Sequence, residues 1–429
     1  MNTFLLKGML LGTASAATQV EGGALDHSWA DWAEKGHIKD GSHPSRACDH
    51  YHRWLEDDQL MSDLGMRIAR IGVEWARIEP RENEFDEDAV THYVQEAKWL
   101  KAHNIRPLVT LHHFTNPMWF ESSGAFEKME NIPCFLRFVE KMVTSFGDTV
   151  NEYITINEPN VYATNGYFFG LWPPGEKNMG RTLRVMEVLA VTHIRAYRLI
   201  HELQSKMDVA GTRVSFANHV RVFTPRNPIN LYQRALARMM ERFFQGSLTR
   251  AMCLGDFTFP LRNPGGEKPG RYCDFIAVNY YTRTTVSGIQ DGVRRKAPVN
   301  DLGWEIYPQG IVSCARKLYE LCPSPIYITE NGTCDNDDSF RCLYLYEHLK
   351  ALCESGLPVE RYYHWCFTDN FEWAEGESAR FGLVKVDYMT QARTVKRSGY
   401  FFRDVIAAGG VTEQIYREYI AGQHYPTNG

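Results

Sequence analysis

Eight short runs rich in aliphatic and β-branched residues alternate with longer stretches of helical period, and this alternation restricts the fold more than any other feature. The runs are Leu10 to Ala16, Arg67 to Val73, Arg106 to Leu111, Tyr153 to Asn157, Arg213 to Ala217, Phe275 to Asn279, Ile326 to Thr329 and Arg361 to Phe367. Helical spacing fills His50 to Leu64, Ala89 to His103, Pro133 to Phe146, Arg181 to Leu203, Leu231 to Gln245, Gly310 to Leu321 and Phe340 to Glu354. Strands alternating with helices build a parallel sheet, and eight of them close it into a barrel. The expected fold is therefore an α/β single (β/α)8 TIM barrel with long βα loops. Residues 1–429 are read as one catalytic domain, since no low-complexity tract, charge block or linker divides them.

Composition narrows the function. The chain is 44% hydrophobic and 23% charged, as expected of a globular protein. Lys and Arg number 47 against 52 Asp and Glu, a net charge of −5, which leaves no electrostatic footprint for nucleic acid or an anionic membrane. A neutral small molecule suits this balance better. The ten cysteines form no CxxC pair, which favours a reduced, cytoplasmic protein. Lys7, the run Gly8 to Gly12 and Ala14-Ser15-Ala16 imitate a secretory signal, but the apolar run is too short and coincides with the first strand. No apolar stretch reaches 18 residues, the length expected of a membrane span.

Polar and aromatic residues follow all eight strands: Gln19 and Glu21, Glu74 and Trp75, His112 and His113, Asn157 and Glu158, Asn218 and His219, Asn279 to Tyr281, Glu330 and Asn331, and Trp365 leading to Asp369 through Trp373. In a (β/α)8 barrel this end carries the active site. Two of these residues, Glu158 and Glu330, each close a β-branched run, so they can face one another across the barrel mouth. A carboxylate pair flanking a glycosidic bond is the machinery of glycoside hydrolysis. His112 and His113 do not suggest a metal, because adjacent strand residues point to opposite faces. No metal and no cofactor is expected.

The motifs Gly12-Thr13-Ala14 with Gln19 to Gly22, Leu111 to Phe114 with Pro117, Thr155 to Pro159, Asn279 to Arg283, Ile328 to Gly332, Asp369 to Trp373 and Arg380 to Leu383 together resemble glycoside hydrolase family 1, the retaining β-glycosidases. The resemblance runs nearly end to end. It implies that Glu330 is the nucleophile and Glu158 the acid/base, with Arg70, Tyr281 and Asn279 as catalytic support. It also implies that Gln19, His113, Asn157, Trp304, Trp365, Glu372 and Trp373 bind the sugar. Arg70 is expected to hold Glu330 ionised, and the charge of Glu330 to raise the pKa of Glu158.

The implied activity is a retaining exo-β-glycosidase acting on terminal unphosphorylated β-D-glucosyl, galactosyl or fucosyl residues. The segment resembles those of branches acting on 6-phosphorylated sugars, but Glu372 replaces their serine. Alternatives are a transglycosylase or a catalytically silent carbohydrate-binding barrel. Three departures from the family pattern stand out. The second strand reads Arg70-Ile71-Gly72-Val73-Glu74-Trp75, where Glu74 is read as structural; Asn160 replaces a tryptophan, and Glu377 an aromatic residue. The last two leave the aglycone preference open.

Overall fold

Eight parallel strands close into a barrel in the computed structural model, which describes residues 2–288 and 292–428. They are β1 (Leu10–Ala14), β2 (Ile68–Gly72), β3 (Arg106–Thr110), β4 (Glu152–Asn157), β5 (Arg213–His219), β6 (Ile276–Asn279), β7 (Ile326–Asn331) and β8 (Val359–Trp365). Chain order is also ring order, and β8 closes onto β1 with Arg361 opposite Leu10 and Trp365 opposite Ala14.

All eight expected strands are present, with shifted ends. β5 runs on through Asn218 and His219, and β7 through Glu330 and Asn331, because β6 and β8 continue to supply ladder partners: His219 and Glu330 both lie opposite Asn279, and Asn331 opposite His364. Such pairing is a tertiary event that local composition does not encode.

The helices pack outside the ring. Ile132–Phe146 begins with Pro133 in its first turn, where the missing N–H costs nothing, and stops at Gly147, whose φ is 56°. It buries Phe135, Phe138, Val139, Met142, Val143 and Phe146, one apolar stripe at three- and four-residue spacing. Phe138 stacks 5.2 Å from Trp75, so truncating Phe138 to Ala should cost about 3–5 kcal/mol. The expected helix Leu231 to Gln245 instead ends at Glu241 and passes through a π-helical turn, Arg242–Gly246, into Ser247–Leu254. Among the described residues no helix is long and apolar enough to cross a membrane.

Below the site, Arg361 Nη2 donates to Glu152 Oε1 at 2.6 Å, a buried pair joining β8 to β4 near their starts. Above it, the backbone is crowded. A Cβ on Gly332 would meet the carbonyl oxygen of Trp365 at 1.9 Å, so only glycine lets the end of β7 lie this close to β8.

Candidate active site

Glu158 directly follows β4 and precedes the short helix Pro159–Ala163. Its φ of 41° lies in the left-handed region, uncommon for a residue with a side chain and costing on the order of 1–3 kcal/mol. Two features hold it there: the Glu158 N–H donates to Ala217 O of β5 at 2.7 Å, and Pro159 begins the helix. Phe114 and Trp373, also at the mouth, share this conformation with φ of 67° and 48°. Glu330 lies within β7 and is buried.

Arg70 of β2 is the hub between the two acids. Its Nε donates to Thr110 Oγ1 at 2.9 Å, Nη1 to Glu330 Oε1 at 2.5 Å and Nη2 to Asn157 Oδ1 at 2.6 Å. Asn279 Nδ2 donates to Asn157 Oδ1 and to Glu158 Oε1, both at 3.0 Å, while its own Oδ1 accepts from Thr329 Oγ1 at 2.6 Å. The Tyr281 hydroxyl donates to Glu330 Oε2 at 2.6 Å. Both carboxylates thus hang on one hydrogen-bonded frame drawn from β2, β3, β4, β6 and β7.

The electrostatics correct one expectation. Burial, the largest influence, pushes the pKa of Glu330 up to about 7; Arg70 pulls it down, Glu158 adds to the rise, and the Tyr281 hydrogen bond opposes it. Arg70 therefore moderates the desolvation of Glu330 without overcoming it.

The sugar-binding candidates join the same frame. Asn157 Nδ2 lies 2.9 Å from His113 Nε2. An amide NH₂ only donates, so Nε2 accepts and the ring is neutral with its proton on Nδ1. Burial and then Arg70 hold the His113 pKa well below the usual range. Gln19 Nε2 donates to Phe371 O at 2.9 Å and Glu372 Oε2 at 3.3 Å, and Trp365 Nε1 reaches the same oxygen at 3.4 Å. Burial raises the Glu372 pKa to about 8. Trp373 stacks on His113 at 5.8 Å, and Trp365 lies 5.8 Å from the same ring. Trp304 meets Tyr281 edge-on at 5.9 Å. All twelve expected site residues are thus linked by direct contacts. Gln19 Oε1 and His113 Nδ1 are buried without a hydrogen-bond partner among the described residues, an acceptor and a donor of the kind a sugar hydroxyl satisfies.

Other residues of the mouth have structural partners. Glu74 accepts from Thr18 Oγ1 at 2.5 Å and caps the helix Trp75–Ile78. His112 Nε2 lies 2.8 Å from Asn116 Oδ1. Glu377 pairs with Arg46, whose Nε donates to it at 2.9 Å. Phe114 and Trp172 pack on Trp373 at 5.2 and 6.0 Å. Sequence reasoning assigned no role to His219, whose Nδ1 lies 3.2 Å from Glu158 Oε1. Its only sequence signal was its place at the end of the fifth strand.

The family model described as glycosyl hydrolase family 1 matches residues 1–411. β-Glucosidase A of Thermotoga maritima is 31% identical over 446 aligned residues, covering 95% of this chain and 98% of that protein. The β-glycosidase from Pyrococcus horikoshii superposes with a TM-score of 0.86 at 31% identity, over 98% of each chain. The Thermotoga maritima β-glucosidase in complex with glucoimidazole gives a TM-score of 0.87 at 30% identity, over 95% of this chain and 100% of that one.

Proposed function

This chain belongs to glycosyl hydrolase family 1 and is a retaining β-glycosidase, and on that premise we propose that Glu330 is its nucleophile and Glu158 its acid/base. In the first step Glu330 attacks the anomeric carbon while Glu158 gives its proton to the departing glycosidic oxygen. In the second, Glu158 takes a proton from water as that water releases the sugar from Glu330. Arg70 and Tyr281 stabilise the carboxylate of Glu330 before attack and as it departs.

The substrate is a terminal, unphosphorylated β-D-glucosyl residue, with galactosyl and fucosyl residues also accepted, cleaved from the non-reducing end. The observation that carries this reading is the unpartnered buried pair, Gln19 Oε1 and His113 Nδ1, beside Glu372 and the Trp365 ring. A 6-phosphate would meet the half-buried carboxyl of Glu372, whose hydrogen-bond partners among the described residues are the neutral Gln19 and Trp365. Residues 1–429 act as one catalytic unit, and the ten free thiols favour the cytoplasm.

Hydrolysis of 4-nitrophenyl β-D-glucoside tests this assignment. Glu330→Ala should lose at least about 10³-fold in kcat, in line with removal of a covalent nucleophile. Undiminished turnover by that variant would overturn the assignment of Glu330. Product analysis at high acceptor concentration separates hydrolysis from transfer.

A further inference from the structure

Resting on the reading of Glu158 as acid/base, we propose that His219, with its tautomer fixed by Arg221, is a positioning residue that decides which oxygen of Glu158 carries the catalytic proton. His219 ends β5 opposite Asn279, and its side chain is buried. Its Nε2 faces the guanidinium of Arg221, 3.0 Å from Nη2 and 3.3 Å from Nε. A guanidinium only donates, so Nε2 accepts and the ring proton lies on Nδ1. That nitrogen is 3.2 Å from Glu158 Oε1, and its N–H donates there.

Oε1 therefore receives two donors, His219 Nδ1–H and Asn279 Nδ2 at 3.0 Å. An oxygen held as a double acceptor is the poorer place for a proton, which leaves Oε2 as the oxygen that carries it. On substrate, the Oε2 proton passes to the glycosidic oxygen as the C–O bond breaks and its electron pair stays with that oxygen. Glu330 forms the new ester bond to the anomeric carbon. In the second step Oε2 takes a proton from the attacking water, while Oε1 keeps both donors.

The surroundings hold this arrangement in place. The His219 ring lies 5.8 Å from Tyr281 and nearly parallel to it, with Phe244 edge-on at 5.8 Å. Arg221 sits 5.2 Å above Phe244 and donates from Nη1 to Thr284 Oγ1 at 3.3 Å. Its backbone is clamped by Gln245, which accepts from Arg221 N at 2.9 Å and donates to Arg221 O at 3.1 Å. Phe244 and Gln245 both belong to the π-helical turn Arg242–Gly246, an irregularity often found at functional sites.

The test compares kcat/KM for methyl β-D-glucoside, whose alkoxide needs a proton to leave, with that for 2,4-dinitrophenyl β-D-glucoside, whose phenolate does not. The ratio of the two within one variant does not depend on how much of the protein is folded. His219→Phe should lose about 30-fold or more on the methyl glycoside and less than about threefold on the dinitrophenyl one, within the range of general acid catalysis. His219→Gln, which can donate to Glu158 and accept from Arg221, should restore the ratio to within about threefold of the parent. Arg221→Met should shift the ratio in the same direction as His219→Phe. Equal losses on both substrates, or none, in His219→Phe would overturn the positioning role. Glu158→Gln serves as the reference: a loss on it without leaving-group selectivity would refute the acid/base reading itself.

Discussion

Arg70 and Glu330 stand 260 positions apart in the chain and 2.5 Å apart in the barrel. Neither is exposed, so each is the other's main compensation for leaving water. Removing one partner of such a pair costs more than the pair itself contributes.

Arg70→Met should accordingly lower stability by about 3–5 kcal/mol and kcat/KM by more than about 100-fold. Arg70→Lys keeps the charge but lacks the planar fork that also reaches Thr110 and Asn157, so activity should remain depressed while stability partly recovers. Denaturant unfolding and steady-state kinetics on the two variants separate these effects, and a fully active lysine variant would contradict the role of the fork.

The pKa of about 7 at Glu330 sets the acidic limb of kcat/KM. The nucleophile works only when ionised, and its pKa is raised, so activity should fall as pH drops below about 7. The Tyr281 hydrogen bond lowers that pKa, so Tyr281→Phe should move the limb to higher pH. Profiles measured from pH 5 to 9 decide this, and a limb that stays in place or moves downward would count against it.

Stability should depend on pH in two directions. Burial raises Glu74, Glu121 and Glu330 to about 7 and Glu372 to about 8. Below their unfolded value near 4.5 these groups favour the folded state, and that contribution is lost as pH rises through 7 to 8. Buried His112, His193 and His348 are lowered to about 4, and His27 and His364 to about 3. Their contribution is present above 6.5 and lost as pH falls through 4 to 3. Above pH 6.5 the contribution of these five histidines no longer changes, while His50, which Asp57 and Glu96 hold above its ordinary range against the opposing effect of burial, loses stabilisation in the same direction as the carboxyls, so the thermal midpoint should decline from pH 6.5 to 8.5. Glu372→Gln should make that decline shallower.

Gln19 should matter for turnover more than for folding. Its amide N–H groups hold Phe371 and Glu372, while its oxygen has no partner among the described residues. Gln19→Ala should reduce kcat/KM on β-glucosides by about 10- to 1,000-fold and lower the thermal midpoint by only a few degrees. Comparable kinetics in parent and variant would show that the oxygen does not meet the sugar.

Much of this was legible in the primary structure, for physical reasons. The strands announce themselves because both faces of a parallel barrel are buried, leaving near-continuous runs of β-branched and aromatic residues such as Tyr153 to Ile156. Glu158 and Glu330 stood out because an acid ending such a run has no place in a core. What depends on distant partners was not visible. The tautomer of His219 follows from Arg221, and Arg221 is held by Gln245, 24 positions further on. The elevated pKa of Glu330 arises from enclosure by five strands, which a cation at position 70 does not reveal. The left-handed backbone of Glu158 rests on a hydrogen bond to Ala217.

The closure of β8 onto β1, with Trp365 beside Ala14, also has a meaning for the life of the molecule. A chain leaving the ribosome has made Arg70, His113, Asn157 and Glu158 long before Glu330 and Trp365 emerge, and it cannot seal the ring without its last strand. A growing chain that has not yet made β8 therefore lacks both the closed ring and the Trp365 side chain of the sugar site. Turnover therefore reports that β8 has closed onto β1.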